Sequence, residues 1–531
     1  MKNFLLVIPK LAEYGQTYVF PLGMLYISAC LKRAGFNLVC LNLCHHQEPQ
    51  ETVLARLIKV HDIQVVCTGG TAAHWKQIES LLDDVKKIDP SLITVVGGAI
   101  MTSEPELAMG HLHADIGVLG EGEETVVELA YYLSRNMSVE FVRGIVYRAP
   151  EKGALLHSEK RPPVEDLDAL PLPDYGSFDY DKYLKLRTEK NPFYDPRLFE
   201  VGEEQVYGEI LASRSCPYSC TFCYHPLGKK YRQRSLDDVF VEIRLLVEKF
   251  GVNFINILDE LFSHDDARIA SFSAEMKRLG VRWTAQWRVD NISEETLPLL
   301  KESGVSFIGL GLESASDTIL KSMRKMTTRE QIDRAYSLVL KHGMTPGGNL
   351  IFGDVEETDE TIKESLDWWF AHPEYQVGMQ FIMVLPDSAL YRHALSNNLI
   401  PDKLRHVRDK LWVTNVSKLE NGRFHEMQAM VTYFDHTRAN LRHGRIVSSR
   451  IEEASKDKNI YNTLFECPDC GESSHYRYYY HQPEGDQSLF TIVLCKRCLS
   501  RYKVETAACF FADVDTDEDF YNQTKLVCAI C

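Results

Sequence analysis

The sequence has neither an excess of positive charge nor a hydrophobic run long enough to cross a membrane. Its 59 lysine and arginine residues are outnumbered by 75 aspartate and glutamate residues, and the net charge at pH 7 is −16. Such an acidic chain is poorly suited to nucleic acid as its main partner, because phosphate binding needs a basic surface. The N-terminal run FLLVIP is too short to span a bilayer, and Lys10 follows it without a small-residue cleavage site. We therefore expect a cytoplasmic protein with no transmembrane segment and no nucleic-acid partner.

Cysteine, in contrast, is abundant, with 14 residues in a chain of 531. In a large chain without a secretion signal, clustered cysteines indicate metal binding rather than disulfides. Seven of them have the spacing of metal ligands, in one group of three and one group of four: Cys216, Cys220 and Cys223, and then Cys467, Cys470, Cys495 and Cys498. Another four are interpreted as small buried hydrophobic residues, since they lie in apolar patterns: Cys30, Cys40, Cys44 and Cys67.

The first 140 residues alternate between apolar strands and amphipathic helices. The predicted strands are 3–8, 36–43, 63–69, 92–98 and 115–120. Near-continuous apolar strands separated by helices predict a parallel sheet covered on both faces. Residues 1–140 are therefore predicted to form a flavodoxin-like (Rossmann-like) α/β domain, which would bind ligands beyond the carboxyl ends of its strands.

Small residues follow three of these strands, at the edge where a ligand is expected. They are Thr68, Gly69, Gly70 and Thr71, then Gly97 and Gly98, and then Gly120, Glu121 and Gly122. The glycines of any one turn could serve only to make that turn tight. Three such turns on one edge favour a docking surface for a large, flat ligand.

The rest of the chain, which is long enough for three or four domains in all, changes character several times. Residues 141–205 are rich in proline, aspartate and tyrosine and are predicted to be an ordered linker. Residues 206–400 contain six strand–helix units, with strands predicted at 208–214, 254–259, 283–289, 306–314, 348–353 and 379–386. Six units are too few for a closed eight-stranded barrel, so we predict an open, partial (βα)6 barrel with its chemistry at the carboxyl ends of the strands. Residues 401–460 are predicted to be a helical extension, and 461–531 a small metal-binding domain.

The three-cysteine segment SRSCPYSCTFCYHP directly follows the first barrel strand, at that chemically active end. Three thiolates are one ligand short of a closed zinc site or a saturated iron–sulfur cluster. They can bind three irons of a [4Fe–4S] cluster and leave the fourth iron open to a substrate or cofactor. The alternative is a zinc ion with a distant fourth ligand.

The spacing C-x₃-C-x-Phe-C, with Phe222 before the last cysteine, resembles the signature of the radical S-adenosylmethionine (SAM) enzymes. The resemblance continues through Leu258-Asp259-Glu260, Arg288-x-Asp290, Gly309-Leu-Gly311-Leu-Glu313-Ser314 and the segment 351–358. It implies that Cys216, Cys220 and Cys223 hold a [4Fe–4S] cluster whose open iron is chelated by SAM. It also implies SAM contacts from the backbone of Tyr224 and from the side chains of Arg288, Glu313 and Ser314. The alternative for Arg288 and Glu313 is an ion pair inside the barrel.

The N-terminal domain, with PLGMLYISACL at 21–31 and Gly120-Glu121-Gly122-Glu123-Glu124-Thr125, resembles the cobalamin-binding domain that precedes many radical SAM barrels. The small-residue turns are then the cobalamin contacts. The fingerprint Asp-x-His-x-x-Gly is absent, since the chain has Asn42-Leu43-Cys44-His45-His46-Gln47 after the second strand. We therefore expect no protein histidine on cobalt, with His45 or His46 as the alternative ligand. A domain without any cofactor is the second alternative.

The two resemblances together imply an enzyme. The expected activity is a cobalamin-dependent methyltransferase, in which a 5′-deoxyadenosyl radical activates a substrate carbon and methylcobalamin delivers the methyl group. The alternatives are a cyclisation or rearrangement without methyl transfer, and a non-catalytic cobalamin- or metal-sensing module. The family also implies an electron donor such as flavodoxin or ferredoxin. The substrate is not indicated by the sequence.

Near the C-terminus, Cys467 and Cys470 form one CxxC pair, and Cys495 and Cys498 form another. Two such pairs predict a zinc ribbon with a closed, tetrahedral site, and rubredoxin-like iron or a second iron–sulfur cluster is the alternative. Tyr-rich segments on either side of the turn-forming PEGDQ predict a β-hairpin between the pairs. Three further cysteines, Cys509, Cys528 and Cys531, could bind another metal or exchange with one pair.

Overall fold

The computed structural model describes residues 2–149, 153–189, 204–262, 265–454, 459–480 and 490–505. The last three cysteines lie outside these ranges. The chain divides into two compact units, of which the first comprises Met1–Asn191, Val206–Phe262 and Met383–Val416, and the second comprises Pro192–Gln205, Ser263–Ile382 and Ser417–Cys531. Among the described residues, no helix is both long and apolar enough to cross a membrane.

The first unit is built on one seven-stranded sheet. Its strands are β1 Phe4–Ile8, β2 Leu38–Asn42, β3 Val65–Gly69, β4 Ile93–Gly97, β5 Ile116–Val118, β6 Ile145–Arg148 and β7 Leu155–His157. The strand order is β2-β1-β3-β4-β5-β6-β7, with β1 to β5 parallel and the last two antiparallel. The order 2-1-3-4-5 is that of a flavodoxin-like sheet, and it confirms the predicted fold class. Strands β6 and β7 lie in the segment predicted to be a linker, where runs of four and three residues are too short to show as a pattern.

Helices cover both faces of this sheet. They are α1 Leu22–Arg33, α2 Gln50–Val60, α3 Trp75–Ile88, α4 Ala99–Ser103, α5 Pro105–His111, α6 Glu123–Ser134 and α7 Tyr180–Glu189. One apolar cluster packs Leu54 and Leu81 against strand residues such as Val7. A second cluster packs Trp75 and Met101 against Val96. Strands β1 and β3, buried along most of their length, therefore read as continuous apolar runs.

The second strand–helix series begins inside the first unit. Its elements here are β8 Tyr207–Ile210, β9 Ser213–Arg214, β10 Arg232–Gln233, α8 Leu236–Phe250 and β11 Phe254–Ile257. Strands β8 and β11 are parallel neighbours, whereas β9 and β10 form a short antiparallel ribbon. Helix α8 begins at Ser235, whose side chain accepts a hydrogen bond from the Asp238 amide, and it ends at Gly251 in the left-handed conformation.

The series continues in the second unit, where the strands alternate with helices as predicted. The elements are α9 Asp266–Leu279, β12 Arg282–Thr284, β13 Gln286–Arg288, α10 Leu297–Glu302, β14 Phe307–Gly311, α11 Asp317–Ser322, α12 Arg329–Lys341, β15 Thr345–Phe352, α13 Asp359–Ala371 and β16 Gln376–Phe381. Strands β13, β14, β15 and β16 are consecutive parallel neighbours. All six predicted strand positions are thus occupied, and the partial barrel is confirmed.

The chain then returns to the first unit with α14 Ala389–Ser396 and α15 Lys403–Arg408. Helix α15 is held there by ion pairs from Lys403 to Glu104 at 2.6 Å and from Arg408 to Glu79 at 3.1 Å. Val407 joins the apolar cluster around Trp75. The last strand therefore ends at Phe381, and the apolar residues 383–386 that were predicted to extend it belong to this return.

The remaining elements lie in the second unit. They are α16 Asn421–Thr437, β17 Arg442–His443, β18 Arg445–Ala454, β19 Asn459–Glu466, β20 Ser473–Tyr480, β21 Phe490–Leu494 and β22 Arg501–Glu505. Among the described residues of the segment 401–460, the helices are α15 and α16, and strands follow from Arg442 onward. The short strands make two small sheets, β18-β19-β20 and β17-β22-β21.

Candidate functional site: a glycine-walled cavity beside a three-cysteine loop

A cavity of about 400 Å³ lies at the carboxyl ends of strands β1, β3, β4 and β5, within the first unit. Its walls include all of the small-residue turns predicted to contact a ligand: Thr68, Gly69, Gly70, Thr71, Gly97, Gly98, Gly120, Glu121 and Gly122. Apolar side chains of β1, α1 and β5, such as Leu6, Ile27 and Val118, complete much of the wall. A mostly apolar recess that is walled in part by glycine suits a large, flat ligand.

The glycines of this wall differ in how much space a side chain would find. A Cβ atom on Gly69 would lie 2.8 Å from the Gly97 carbonyl oxygen, and one on Gly98 would lie 2.7 Å from the Gly70 carbonyl oxygen. These two residues are small because the turns after β3 and β4 touch. A Cβ on Gly97 would meet nothing nearer than 3.6 Å, and one on Gly23 nothing within 4 Å. Packing alone does not require glycine at those two positions, and both line the cavity.

The same cavity is lined by residues that lead into the three-cysteine segment. Ser213 and Arg214 of β9 and then Ser215 line it, and Leu227 does so from the other side of the segment. Ser215 has a φ angle of 67°, a left-handed conformation that turns the chain out of β9 toward Cys216. The loop of residues 215–231 thus leaves the ribbon β9–β10 at the cavity wall.

Of the loop cysteines, Cys220 is buried, and Cys216 and Cys223 are partly buried. The Cys223 amide donates to the Cys220 carbonyl oxygen at 3.3 Å, and the Leu390 amide, at the start of α14, donates to the Thr221 carbonyl oxygen at 2.9 Å. The three thiols are not all close enough to share one metal ion, since the only such group among the described residues is elsewhere. Wider spacing fits thiolates that each bind a separate iron of one cluster.

Tyr224 is predicted to contact SAM through its backbone. Its side chain reaches the wall of the glycine-walled cavity. Its hydroxyl donates to the Ala99 carbonyl oxygen at 2.9 Å, directly after the turn of Gly97 and Gly98. The neighbouring His225 lies 3.3 Å from Glu260 through Nδ1, and Glu260 lines the cavity. The loop therefore contacts the cavity wall through its central residues Tyr224 and His225 as well as through its first residue, Ser215.

Glu121, predicted as a ligand contact, is engaged by two arginines of the cysteine ribbon. Its Oε1 is 3.1 Å from Arg214, and its Oε2 is 2.9 Å from Arg232. Arg214 also pairs with Glu123 at 2.6 Å. Burial alone would raise the pKa of Glu121, but the hydrogen bond from Arg232 and the charge of Arg214 hold that pKa below its ordinary value.

The sequence interpretation did not identify Arg214 or Arg232, and it named Glu123 only as part of the motif after β5. A signal for them existed: in an acidic chain, the cysteine segment is preceded by arginine and followed by KKYRQR. Basic residues flanking a loop are usually solvated, so only the fold shows that these two arginines point at one acidic turn. Neither His45 nor His46 lines the glycine-walled cavity; His45 is 2.9 Å from the Tyr18 hydroxyl, and burial lowers its pKa to about 4.

The other predicted SAM contacts lie in the second unit, at the carboxyl ends of β13 and β14. Arg288 pairs with Asp290 at 2.9 Å and donates to the Lys325 carbonyl oxygen. Glu313 pairs with Lys325 at 2.7 Å and has a left-handed φ of 63°. The ion pairs that were the alternative for both residues are thus present, each with its own partner. Ser314 lies 3.2 Å from Ser365, hydroxyl to hydroxyl.

The four C-terminal cysteines converge on one point. All four sulfur atoms lie within 4.8 Å of one another. Cys467 and Cys498 are 3.6 Å apart, and so are Cys470 and Cys495. For Zn–S bonds of 2.3 Å, the edge of a tetrahedron is about 3.8 Å, so four thiolates at these distances fit a single zinc ion.

Each C-terminal cysteine pair sits in the turn of its own hairpin. Strands β19 and β20 pair around Cys467 and Cys470, and β21 and β22 pair around Cys495 and Cys498. The hairpin predicted between the pairs, with β20 against β21, is not found among the described residues, and the predicted turn at 483–487 lies outside them. The two observed turns share the same hydrogen bonds, from Gly471 to Cys467 and from Leu499 to Cys495. A metal bound by these four thiols would join the two hairpins.

Family models match both parts of the chain that line the cavity. Residues 210–368 match the radical SAM superfamily, and residues 11–130 match the B12 binding domain. An uncharacterized methyltransferase of Pyrococcus horikoshii is 28% identical over 387 residues, which cover 72% of this chain and 79% of the relative. The anaerobic magnesium-protoporphyrin IX monomethyl ester cyclase of Rubrivivax gelatinosus is 29% identical over 362 residues, covering 66% of this chain and 62% of the relative.

Among solved structures, the radical S-adenosylmethionine methyltransferase TsrM from Kitasatospora setae has a TM-score of 0.61 at 19% identity, covering 74% of this chain and 77% of that one. Another structure of TsrM contains cobalamin and a [4Fe–4S] cluster. At this identity the likeness shows a shared fold.

Proposed function

Because this chain belongs to the radical SAM enzymes that carry a B12-binding domain, we propose that it is a methyltransferase that places a methyl group on an unactivated substrate carbon. The observation that supports this most is the shared cavity. Residues next to the three-cysteine loop and residues of the cobalamin-type sheet edge line one recess inside one compact unit. Such an arrangement serves an enzyme that must use two cofactors on one substrate.

When bound, the two cofactors would supply the difficult chemistry, an electron for the cleavage of SAM and a carrier for the methyl group. The chain supplies binding and orientation. Cys216, Cys220 and Cys223 would each hold one iron of the cluster. Gly97 and Gly23 leave space for a flat ligand along the wall. The apolar lining excludes water from reactive groups.

In the second unit, Arg288, Glu313 and Ser314 are proposed to contact SAM. Glu313 is held in a left-handed conformation by a backbone bridge to Leu350 of β15. A conformation of that kind costs on the order of 1–3 kcal/mol and is kept where it positions a side chain. The Lys325 ammonium then fixes the orientation of the carboxylate.

Zinc is the proposed metal of the C-terminal site, where it would have a structural role. Four thiolates leave no open position for a substrate, and a small domain with few buried residues needs a metal to fold. We also propose a cytoplasmic location and a flavodoxin or ferredoxin as electron donor, since the cluster needs one-electron reduction and reducing surroundings.

The test is anaerobic reconstitution with iron, sulfide and hydroxocobalamin, followed by SAM and dithionite. The proposal predicts both 5′-deoxyadenosine and S-adenosylhomocysteine. Cys223→Ala should yield neither product, whereas Cys40→Ala, which removes a thiol of β2 outside both cysteine groups, should yield both. Absence of both products from the wild-type protein would contradict the proposal.

A second candidate, cyclisation or rearrangement without methyl transfer, is favoured by the 29% identity to a cyclase. The same experiment separates the two. Deoxyadenosine formed without S-adenosylhomocysteine would support the second candidate and contradict the first.

A further inference from the structure

One carboxylate of the cavity wall meets both ends of the cysteine loop. Arg214 in β9 and Arg232 in β10 lie directly opposite each other in the antiparallel register. Both reach Glu121, one at each carboxylate oxygen, at 3.1 and 2.9 Å. The loop of residues 215–231, which contains all three cysteines, therefore begins and ends at the same acidic side chain.

This contact is buried and balanced in charge. The side chains of Glu121 and Arg232 are 3% and 4% exposed, and those of Arg214 and Glu123 are 9% and 7% exposed. Two positive and two negative groups compensate each other there. Because a buried charge without its partner is strongly unfavourable, the four side chains must keep their places together.

The position of Glu121 makes it sensitive to whatever fills the cavity. It lies between Gly120 and Gly122, and all three residues line the recess. Gly120 has a φ of 71°, so the turn is held by a conformation that glycine adopts readily. The Glu121 carboxylate also accepts a hydrogen bond from the Val164 amide at 2.6 Å, which orients it toward the arginines.

We propose that Glu121 couples the two cofactor sites, so that cobalamin in the cavity and the iron–sulfur cluster on the loop increase each other's affinity. The ligand that orders the turn of residues 120–122 fixes the carboxylate, and the fixed carboxylate holds both ends of the cluster loop. Linkage makes the effect reciprocal: the cluster orders the loop, its arginines hold Glu121, and the cavity wall is preformed for cobalamin. This inference rests on the proposed function, since it needs both cofactors.

The experiment measures hydroxocobalamin binding to protein with and without a reconstituted cluster. We expect the wild-type dissociation constant to be lower in the cluster-loaded protein by at least about 5-fold, the lower end of typical coupling between sites. In Glu121→Gln the carboxylate charge is lost, and the ratio of the two constants should fall to within about 2-fold of one. Equal ratios in the wild type and Glu121→Gln would overturn the proposal.

Glu124→Gln is the matched control. Glu124 lies three residues away, and its exposed carboxylate pairs with Arg161 at 3.4 Å outside the buried group. This variant should keep the wild-type ratio of the two hydroxocobalamin dissociation constants. Loss of the coupling in Glu124→Gln would also overturn the proposal, because any change in the acidic turn would then have the same effect.

A second measurement uses only the wild-type protein and so does not depend on the folding of a variant. Release of iron from the cluster to a ferrous chelator should be slower with hydroxocobalamin than without it, and an equal rate would contradict the coupling. Wild-type protein that binds both cofactors without coupling overturns this inference alone. Protein that binds no cobalamin or no cluster overturns the proposed function as well.

Discussion

The loop of residues 215–231 and the C-terminal cysteine group both present cysteines from turns between short strands, yet they are built in opposite ways. In the C-terminal group the four thiols lie close enough to enclose one ion. In the loop the three thiols do not all lie that close to one another. Residues that flank them, such as Ser215 and Leu227, line a cavity. The C-terminal group is closed by its own ligands, whereas the loop is kept in place by other parts of the chain.

The difference extends to what holds each site together. The C-terminal turns are small hairpins with the same hydrogen bonds around each cysteine pair, and a metal bound by their four thiols would join them. The loop is instead held by Arg214, Arg232 and Tyr224, which reach the turns of a separate sheet. The proposed structural metal site is thus local in sequence, whereas the proposed cluster loop depends on partners that are distant in sequence.

The largest effect that would test this contrast is expected from Cys220→Ala. Removal of one of three thiolates should abolish cluster binding and with it all deoxyadenosine formation, because two thiolates would hold only two of the four irons. Metal analysis should show iron lost and zinc retained at one ion per chain. Zinc lost together with iron would mean that the two sites are not independent.

The converse variant, Cys495→Ala, should lose zinc and keep iron. Binding of a structural zinc contributes on the order of 10–16 kcal/mol to the folding of a small domain, so the strands from β19 to β22 should become sensitive to protease. Arg497→Ala, which changes an exposed residue between the same two ligands, should resist protease like the wild type. Protease resistance retained in Cys495→Ala would show that the hairpins fold without metal.

A smaller effect distinguishes the two kinds of glycine in the cavity wall. Gly69→Ala should lower the free energy of unfolding by about 1–3 kcal/mol, because its Cβ meets the Gly97 carbonyl at 2.8 Å. Gly97→Ala should leave that free energy within about 0.5 kcal/mol of the wild type and should weaken hydroxocobalamin binding. Denaturant unfolding and cobalamin titration check the pair, and unchanged cobalamin affinity in Gly97→Ala would show that this face does not contact the ligand.

The smallest effects are expected within the C-terminal turns, which are alike except at one position. Gly471 and Leu499 occupy equivalent places with φ of 70° and 62°. Gly471→Ala should destabilise the turn by about 1–2 kcal/mol, the cost of a left-handed conformation. Leu499→Gly should also destabilise the turn, since relief of that cost only partly offsets the loss of a buried side chain. Thermal unfolding of the zinc-loaded protein measures both.

Much of the fold followed from local patterns. The five parallel strands and the six strand positions of the second series are visible in the sequence because apolar runs recur with helices between them, and the cysteine spacings indicate metal. The pairing of β20 with β19 could not be predicted, because the nearest turn signal, PEGDQ, points to a different hairpin. The interaction of Glu121 with Arg214 and Arg232 was equally hidden, since it joins residues about 90 and 110 positions apart.

The three-part composition of the first unit has a consequence for the order of events during synthesis. Residues 1–191 emerge first, but the unit also needs Val206–Phe262 and Met383–Val416. At a synthesis rate of roughly 5–20 residues per second, the final segment follows the first by roughly ten to forty seconds. Arg214 and Arg232 emerge early in that interval, but the unit lacks α15 until the end of it. Cofactor loading is therefore expected only after Val416 has left the ribosome.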